Sequence, residues 1–310
     1  MGYIIMERYK LKIKNFLLQY LWKFYKKFKK YLRIFDSKII NQIEVHLAEH
    51  CNLKCAYCTH NCPVAEPEFP NIEQLERDFT KLSKLTNGHI RKITLLGGEP
   101  LLNPNIVRII QIVRQNIPVG KIEIITNGIL LTSMKEEFWI ACKNNNISVI
   151  ISQYPIKLDI DKISKTAKAY CVNVFWRKNR YNVFYNQRFD MSGKRDIYKA
   201  YENCIGSECT FLKEGKIYIC PRIPCSKHLE KRFDVKFSIS SKDFLVLDKV
   251  NNLQEILDFI SHPSPFCKYC AAEKKVFVTW KISERKKEEW IMEEDPLEIQ
   301  GNSKTSGAGF

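Results

Sequence analysis

Three cysteines, Cys51, Cys55 and Cys58, stand in a C-x3-C-x2-C spacing directly after a short apolar run. Thiolates spaced this way on a loop can converge on one metal ion or one iron–sulfur cluster, and three of them leave one iron of a four-iron cluster open to a further ligand. Zinc is the competing occupant; its frameworks normally offer paired C-x2-C knuckles, which an odd set of three does not make.

A second group comes later: Cys204, Cys209, Cys220, Cys225, Cys267 and Cys270, spaced C-x4-C-x10-C-x4-C-x41-C-x2-C. Glu214-Gly215 marks a hairpin turn before Cys220, and residues 252–261 read as one short helix. Six thiols in one small region need a common occupant, and a cluster or a structural zinc would serve. Cys62 with Pro63 extends the first group toward the ferredoxin spacing, but the interval from Cys51 to Cys55 is one residue too long for it, so Cys62 is read as structural. Cys142 and Cys171 stand apart and read as small buried hydrophobes, while His46 and His60 read as hydrogen-bonded or solvated. Twelve cysteines without a secretory leader pattern place the chain in a reducing, cytoplasmic setting, where clustered thiols serve metals or catalysis before disulfides.

The elements that must position these groups alternate. β-Rich runs at 43–47, 92–96, 122–126, 149–152 and 172–176 are separated by helical stretches beginning near Ile72, Pro104, Ser133 and Asp159. Cap acceptors stand at Asn71, Asn103 and Thr132 or Ser133. The alternation predicts an α/β fold of parallel strands with right-handed crossovers, a partial barrel or open sheet with ligands at the C-terminal strand ends. A sixth strand does not stand out. The expected organisation is a basic N-terminal helix (1–40), the α/β part (41–200), a small cysteine-rich domain (201–280) and a disordered polar tail (281–310).

The cysteine run, with Gly97-Gly98-Glu99-Pro100 after the second strand and Thr126-Asn127-Gly128 after the third, resembles the signature of the radical S-adenosylmethionine (SAM) superfamily. That resemblance implies a partial (β/α) barrel with a [4Fe-4S] cluster on Cys51, Cys55 and Cys58, whose open iron chelates the methionine moiety of SAM. Reductive cleavage of SAM then yields a 5′-deoxyadenosyl radical that abstracts a substrate hydrogen. The resemblance places Gly97, Gly98, Glu99 and Pro100 beside the methionine, Tyr57 against the adenine, Thr126 and Asn127 near the cofactor, and Ser152 at the ribose or carboxylate. Gly97 and Gly98, lacking Cβ, are expected to let the backbone approach a ligand, and Glu99 to accept from the methionine ammonium.

The later cysteines resemble the SPASM/twitch extensions of this superfamily, in the shorter form with one auxiliary [4Fe-4S] cluster. Its four ligands are drawn from Cys204, Cys209, Cys220, Cys267 and Cys270, with Cys204 and Cys209 competing for one place. Cys225 is then a spare thiol able to return a hydrogen atom, a candidate catalytic residue.

The expected activity is that of a radical SAM oxidoreductase or isomerase that dehydrogenates or epimerises a sugar, aminosugar or nucleotide-linked sugar, with flavodoxin or ferredoxin as reductant. Arg177, Lys178 and Arg180 are a candidate phosphate site. Maturation of a ribosomal peptide is the alternative, although residues 1–40 show no leader-recognition module; a non-enzymatic iron–sulfur or zinc protein is a third. Of the net charge of +16, about +9 lies in residues 1–40, where eleven Lys/Arg face only Glu7 and Asp36. Residues 10–35 form a basic amphipathic helix, suited to packing on the protein or to an anionic membrane at the inner face. It is too interrupted by lysines to span a bilayer, and its apolar side argues against a nucleic-acid partner.

Overall fold

The computed structural model of the chain describes residues 39–177, 184–204, 206, 209–274 and 276–292. The amphipathic stretch 10–35, Lys178 and Arg180 of the basic cluster, and residues 293–310 lie outside the described residues. The chain divides into two units, Met1–Ile39 and Ile40–Phe310, and the second carries everything that follows.

Five parallel strands alternate with four helices. They run β1 (Ile43–Ala48), α1 (Ile72–Thr86), β2 (His89–Gly97), α2 (Ile106–Asn116), β3 (Val119–Thr126), α3 (Glu136–Asn144), β4 (Ile147–Ser152), α4 (Ile160–Ala169) and β5 (Val174–Arg177). Alternation along each strand sorts the side chains. Ile43, Val45 and Leu47, with Ile93, Leu95, Ile122, Ile124, Val149 and Ile151, pack into one core with the helices. The other face carries Glu44, His46, Thr94, Glu123 and Ser152, and it is this polar inner face that a partial barrel turns toward its ligands.

Helix α1 starts where Asn71 accepts from the Gln74 N–H at 2.7 Å, as its sequence predicts. Asn71→Ala is expected to cost about 1 kcal/mol, read as a lower urea midpoint at unchanged slope. α3 departs from expectation: Leu131–Ser133 forms a separate 3-10 turn, and the helix begins at Glu136, whose acidic first turn favours the N-terminal dipole. α2 begins at Ile106, and Asn103 instead donates to Leu47 O at 2.7 Å, tying the turn after β2 to β1.

Beyond β5 lie β6 (Phe184–Asn186), α5 (Ile197–Asn203), the hairpin β7 (Phe211–Lys213) and β8 (Lys216–Tyr218), α6 (Arg222–Phe233), β9 (Leu245–Val246), α7 (Leu253–Ile260) and β10 (Val276–Val278). A further parallel strand does exist: β7 pairs with β1 on the far side from β2, giving one eight-stranded open sheet in the order β5-β4-β3-β2-β1-β7-β8-β9. Of the later strands, β7, β8 and β9 thus extend the main sheet, while β10 pairs antiparallel with β6 in a separate two-stranded sheet. Glu214 and Gly215, both with positive φ, make the expected tight hairpin turn, and the Gly215 N–H is fixed by Asp78 of α1 at 3.0 Å. A second apolar cluster, including Phe189, Phe211, Phe237, Phe266 and Trp290, fills the space under the later cysteines.

Residues 281–292 also differ from the tail expected of them. They pack against the body, with Trp290 3% and Ile291 4% exposed, because two large apolar side chains anchor an otherwise charged run.

Candidate functional site

The chain leaves β1 directly into the loop holding Cys51, Cys55 and Cys58, at the C-terminal edge of the sheet. Lys54 and Tyr57 take positive φ there, turning the loop so tightly that its thiols stay on one short arc. Each sulfur meets a donor. Leu53 N–H lies 3.4 Å from Cys51 Sγ, and the Trp280 indole N–H lies 3.2 Å from Cys55 Sγ. The Cys62 thiol hydrogen-bonds Cys58, which chiefly holds the Cys58 thiol down to about 7. Burial pushes Cys51 to about 11 and Cys55 to about 12.

The turns after β2 and β3 lock onto this loop, the first of them through its glycines. A Cβ on Gly97 would lie 2.3 Å from Ala48 O, and one on Gly98 would lie 1.9 Å from His50 O. Lacking Cβ, both residues approach the chain's own β1 exit, where Gly98 N–H and Glu99 N–H donate to Ala48 O and His50 O at 2.7 and 3.1 Å. Pro100 opens the short 3-10 turn that follows.

Glu99 is likewise turned inward. It is 0% exposed; its Oε1 accepts from Thr126 Oγ1 at 2.6 Å and Leu101 N–H at 3.1 Å, and its Oε2 from Asn127 N–H at 2.9 Å. Burial lifts its carboxyl to about 7 against those bonds. Its carboxylate pins the two turns together. Asn127 completes the chain of contacts by donating to Asn52 Oδ1 at 2.7 Å, next to Cys51. Tyr57 is half-buried with its N–H on Glu289, and Ser152 ends β4 in register with Arg177 of β5.

The later cysteines divide. Cys204, Cys220, Cys267 and Cys270 line one pocket with Arg222 and Phe189. Cys209 does not line it and instead bonds Glu44 of β1. Arg222 Nη1 reaches Cys270 Sγ at 3.0 Å while its guanidinium stacks 3.8 Å from the Phe189 ring. Arg222 is buried, and among the described residues its guanidinium has no carboxylate partner. Asp243 shapes the turn that presents Cys267 and Cys270: it accepts from Phe266 N–H at 2.8 Å, Ser240 N–H at 2.7 Å and the Ser264 hydroxyl. Asp243→Ala is expected to cost about 3 kcal/mol by stranding these buried donors, and to lower iron content while leaving the first cysteine loop intact.

Cys225 is 0% exposed on α6, 3.9 Å from His46 Nδ1 and 3.8 Å from Glu49 Oε2. A hydrogen donor has to meet substrate, and this thiol is enclosed between α6 and the inner face of β1. Among the described residues, His46, Glu49 and Cys225 are the one trio of potential metal ligands whose ligating atoms all lie within 4.8 Å of one another. Glu49 is already taken up by Lys213 Nζ at 2.6 Å and His228 Nε2 at 2.9 Å, so an ammonium stands where a cation would. Burial opposes ionisation of Glu49, but His46, His228 and Lys213 outweigh it and hold the carboxyl far below its usual range. Cys142 is buried as expected; Cys171 is exposed in a positive-φ turn after α4, because β5 starts only at Val174.

Sequence reasoning missed Trp280, Glu289, Trp290, Arg222 and Asp243. The two tryptophans, ten residues apart in a charged run after the last cysteine pair, were the available signal.

An open parallel α/β barrel whose first strand delivers three thiols to the strand-end opening is the class that fold and site define. Residues 45–166 match the radical SAM superfamily, and the chain carries a radical SAM domain, which implies a [4Fe-4S] cluster and SAM as cofactors. A GTP 3′,8-cyclase of Desulforamulus reducens is 32% identical over 101 residues, 33% of this chain and 31% of the relative. A GTP 3′,8-cyclase of Clostridium botulinum is 26% identical over 257 residues, 77% of this chain and 78% of the relative. Among solved structures, BtrN in complex with AdoMet and 2-DOIA aligns over 75% of this chain and 93% of its own, at 20% identity and a TM-score of 0.46. anSMEcpe with bound AdoMet aligns over 44% of this chain and 43% of its own, at 21% identity and a TM-score of 0.35. No helix among the described residues is long and apolar enough to cross a membrane.

Proposed function

We propose that this protein is a radical SAM enzyme that holds its SAM-binding [4Fe-4S] cluster on Cys51, Cys55 and Cys58 and an auxiliary [4Fe-4S] cluster on Cys204, Cys220, Cys267 and Cys270. The donor sets fit these groups. The first three sulfurs each face a hydrogen-bond donor, as cluster thiolates require. The sulfurs of neither set crowd within 4.8 Å in threes, whereas tetrahedral zinc at about 2.3 Å per Zn–S bond would draw its sulfurs to roughly 3.8 Å apart. When bound, the first cluster supplies the electron that cleaves SAM. The protein's part is to fix the cofactor and substrate and keep water out.

Within that reading, Asn127 and Asn52 steady the loop, Glu99 and Thr126 set the two turns that border the SAM site, and Tyr57 offers its ring to the adenine. The observation that carries the auxiliary cluster is a buried pocket lined by four cysteine sulfurs, into which the buried Arg222 donates to the Cys270 sulfur at 3.0 Å. SPASM/twitch-type function of residues 201–280 rests on this pocket.

The substrate class is a nucleotide or nucleotide-linked sugar, oxidised at a hydroxyl-bearing carbon. The relatives named for GTP support the nucleotide, and Arg177 and Phe175 support its recognition. Phe175 is 50% exposed on the inner face of β5, with Lys121 Nζ 5.8 Å from its ring centroid, and the exposed Arg177 stands at its strand end opposite Ser152, where a phosphate would be met. With Cys225 enclosed, dehydrogenation with the second cluster as electron acceptor is favoured over epimerisation.

Iron and sulfide analysis of anaerobically reconstituted Cys204→Ala and Cys209→Ala tests the ligand set. Wild type and Cys209→Ala are expected to hold about eight irons and Cys204→Ala about four. Eight irons in Cys204→Ala with four in Cys209→Ala would reverse the assignment.

A further inference from the structure

Residues 280–291 form a strap across the first cysteine loop. Ala56 N–H donates to Lys281 O at 2.8 Å and Ser283 N–H to Lys54 O at 2.9 Å, with Cys55 and Ile282 opposed as in an antiparallel pair. Farther along, Glu289 takes the Tyr57 N–H at 3.3 Å and the Ser283 hydroxyl at 2.7 Å. The Trp290 indole donates to Cys58 O at 2.8 Å. Trp290 then joins the second apolar cluster and its carbonyl receives the Phe189 N–H at 2.7 Å, so the strap is anchored at its far end. The outcome of this double fastening is that one donor faces one sulfur: the Trp280 indole N–H, 3.2 Å from Cys55 Sγ.

We infer that Trp280 is a positioning residue that sets the reduction potential of the SAM-binding cluster through its N–H bond to the Cys55 sulfur. The inference rests on the reading of Cys55 as a cluster ligand. An indole N–H can only donate, so its one polar function here is to a sulfur. Reduction adds a negative charge to a cluster and its sulfurs, and a donor aimed at a sulfur stabilises the reduced form more than the oxidised one. Hydrogen bonds to sulfur and exclusion of solvent are the levers by which proteins move cluster potentials, and the strap supplies both at Cys55. The strap thereby links residues beyond the last cysteine pair to the ease with which the enzyme accepts its starting electron.

Trp280→Phe removes the N–H and keeps a ring near Tyr154, whose ring centroid lies 6.4 Å away. Trp290→Phe, in the same strap, removes an N–H given to a carbonyl oxygen instead of a sulfur. Both are compared with wild type in a potentiometric titration followed by electron paramagnetic resonance of the SAM-responsive cluster. Trp280→Phe is expected to lower the reduction equilibrium constant about tenfold, about 59 mV more negative for a one-electron couple, and to lose a strongly coupled exchangeable proton. Trp290→Phe is expected to leave both near wild type. An unchanged potential in Trp280→Phe, or equal shifts in both variants, overturns the inference while the ligand assignment stands. A SAM-responsive cluster that persists in Cys55→Ala overturns the ligand assignment itself.

Discussion

Alanine at Cys51, Cys55 or Cys58 is expected to reduce formation of 5′-deoxyadenosine from SAM by at least about 10³-fold, the equivalent of about 4 kcal/mol of barrier. Each change removes one of only three protein ligands to the cluster proposed on this loop, and the loop has no ready substitute. Cys62 is buried and engaged with Cys58, and Cys225 lies with His46 and Glu49. The variants should nevertheless stay folded. The loop is held by the Gly98, Glu99 and Asn127 bonds and by the strap, and of these contacts the Trp280 indole to Cys55 Sγ and the Asn127 amide to Cys51 Sγ at 3.7 Å involve the thiol groups. Quantifying 5′-deoxyadenosine with dithionite as reductant, together with far-ultraviolet circular dichroism, separates lost chemistry from lost structure. Near-normal cleavage in any of the three would remove that residue from the ligand set.

Gly98→Ala is expected to be severely damaging for a single added methyl group. The added carbon would sit 1.9 Å from His50 O, 2.3 Å from His50 C and 2.9 Å from Cys51 N, all backbone atoms with no rotamer by which to yield. Either β1 and β2 part at their ends or the cysteine loop moves. A cost of about 3 kcal/mol or more follows from overpacking at a site that cannot relax. The expected result is a markedly lower urea midpoint with cluster content reduced at the first site and retained at the second. The same substitution at Gly97 meets Ala48 O at 2.3 Å and adds a φ of +134°, so it should behave alike.

Much of this site was legible before its geometry. The strands at 43–47, 92–96, 122–126 and 149–152 are found as β1 to β4, because buried parallel strands are written as β-branched runs between helices. The spacing of Cys51, Cys55 and Cys58 and the turns at 97–100 and 126–128 also stand together at one sheet edge, since each directly follows a strand. What was not legible depends on contacts between distant segments. β7 has three residues and no period, so nothing local announces that it joins β1. The inward turn of Glu99 is decided by Thr126 and Asn127, 27 and 28 residues away. The strap reads as a charged tail because its order comes from Trp280, Glu289 and Trp290 meeting a loop more than 220 residues earlier, as with Trp280 and Cys55, 225 apart.

Electron paramagnetic resonance of the dithionite-reduced, reconstituted protein, recorded with and without SAM for wild type and the Cys51/Cys55/Cys58 triple alanine variant, tests the central claim most directly. The account predicts two reduced-cluster signals in wild type, one of them perturbed by SAM, with only the SAM-insensitive signal left in the triple variant. A wild-type spectrum indifferent to SAM, or a SAM-responsive signal surviving the triple substitution, would contradict it.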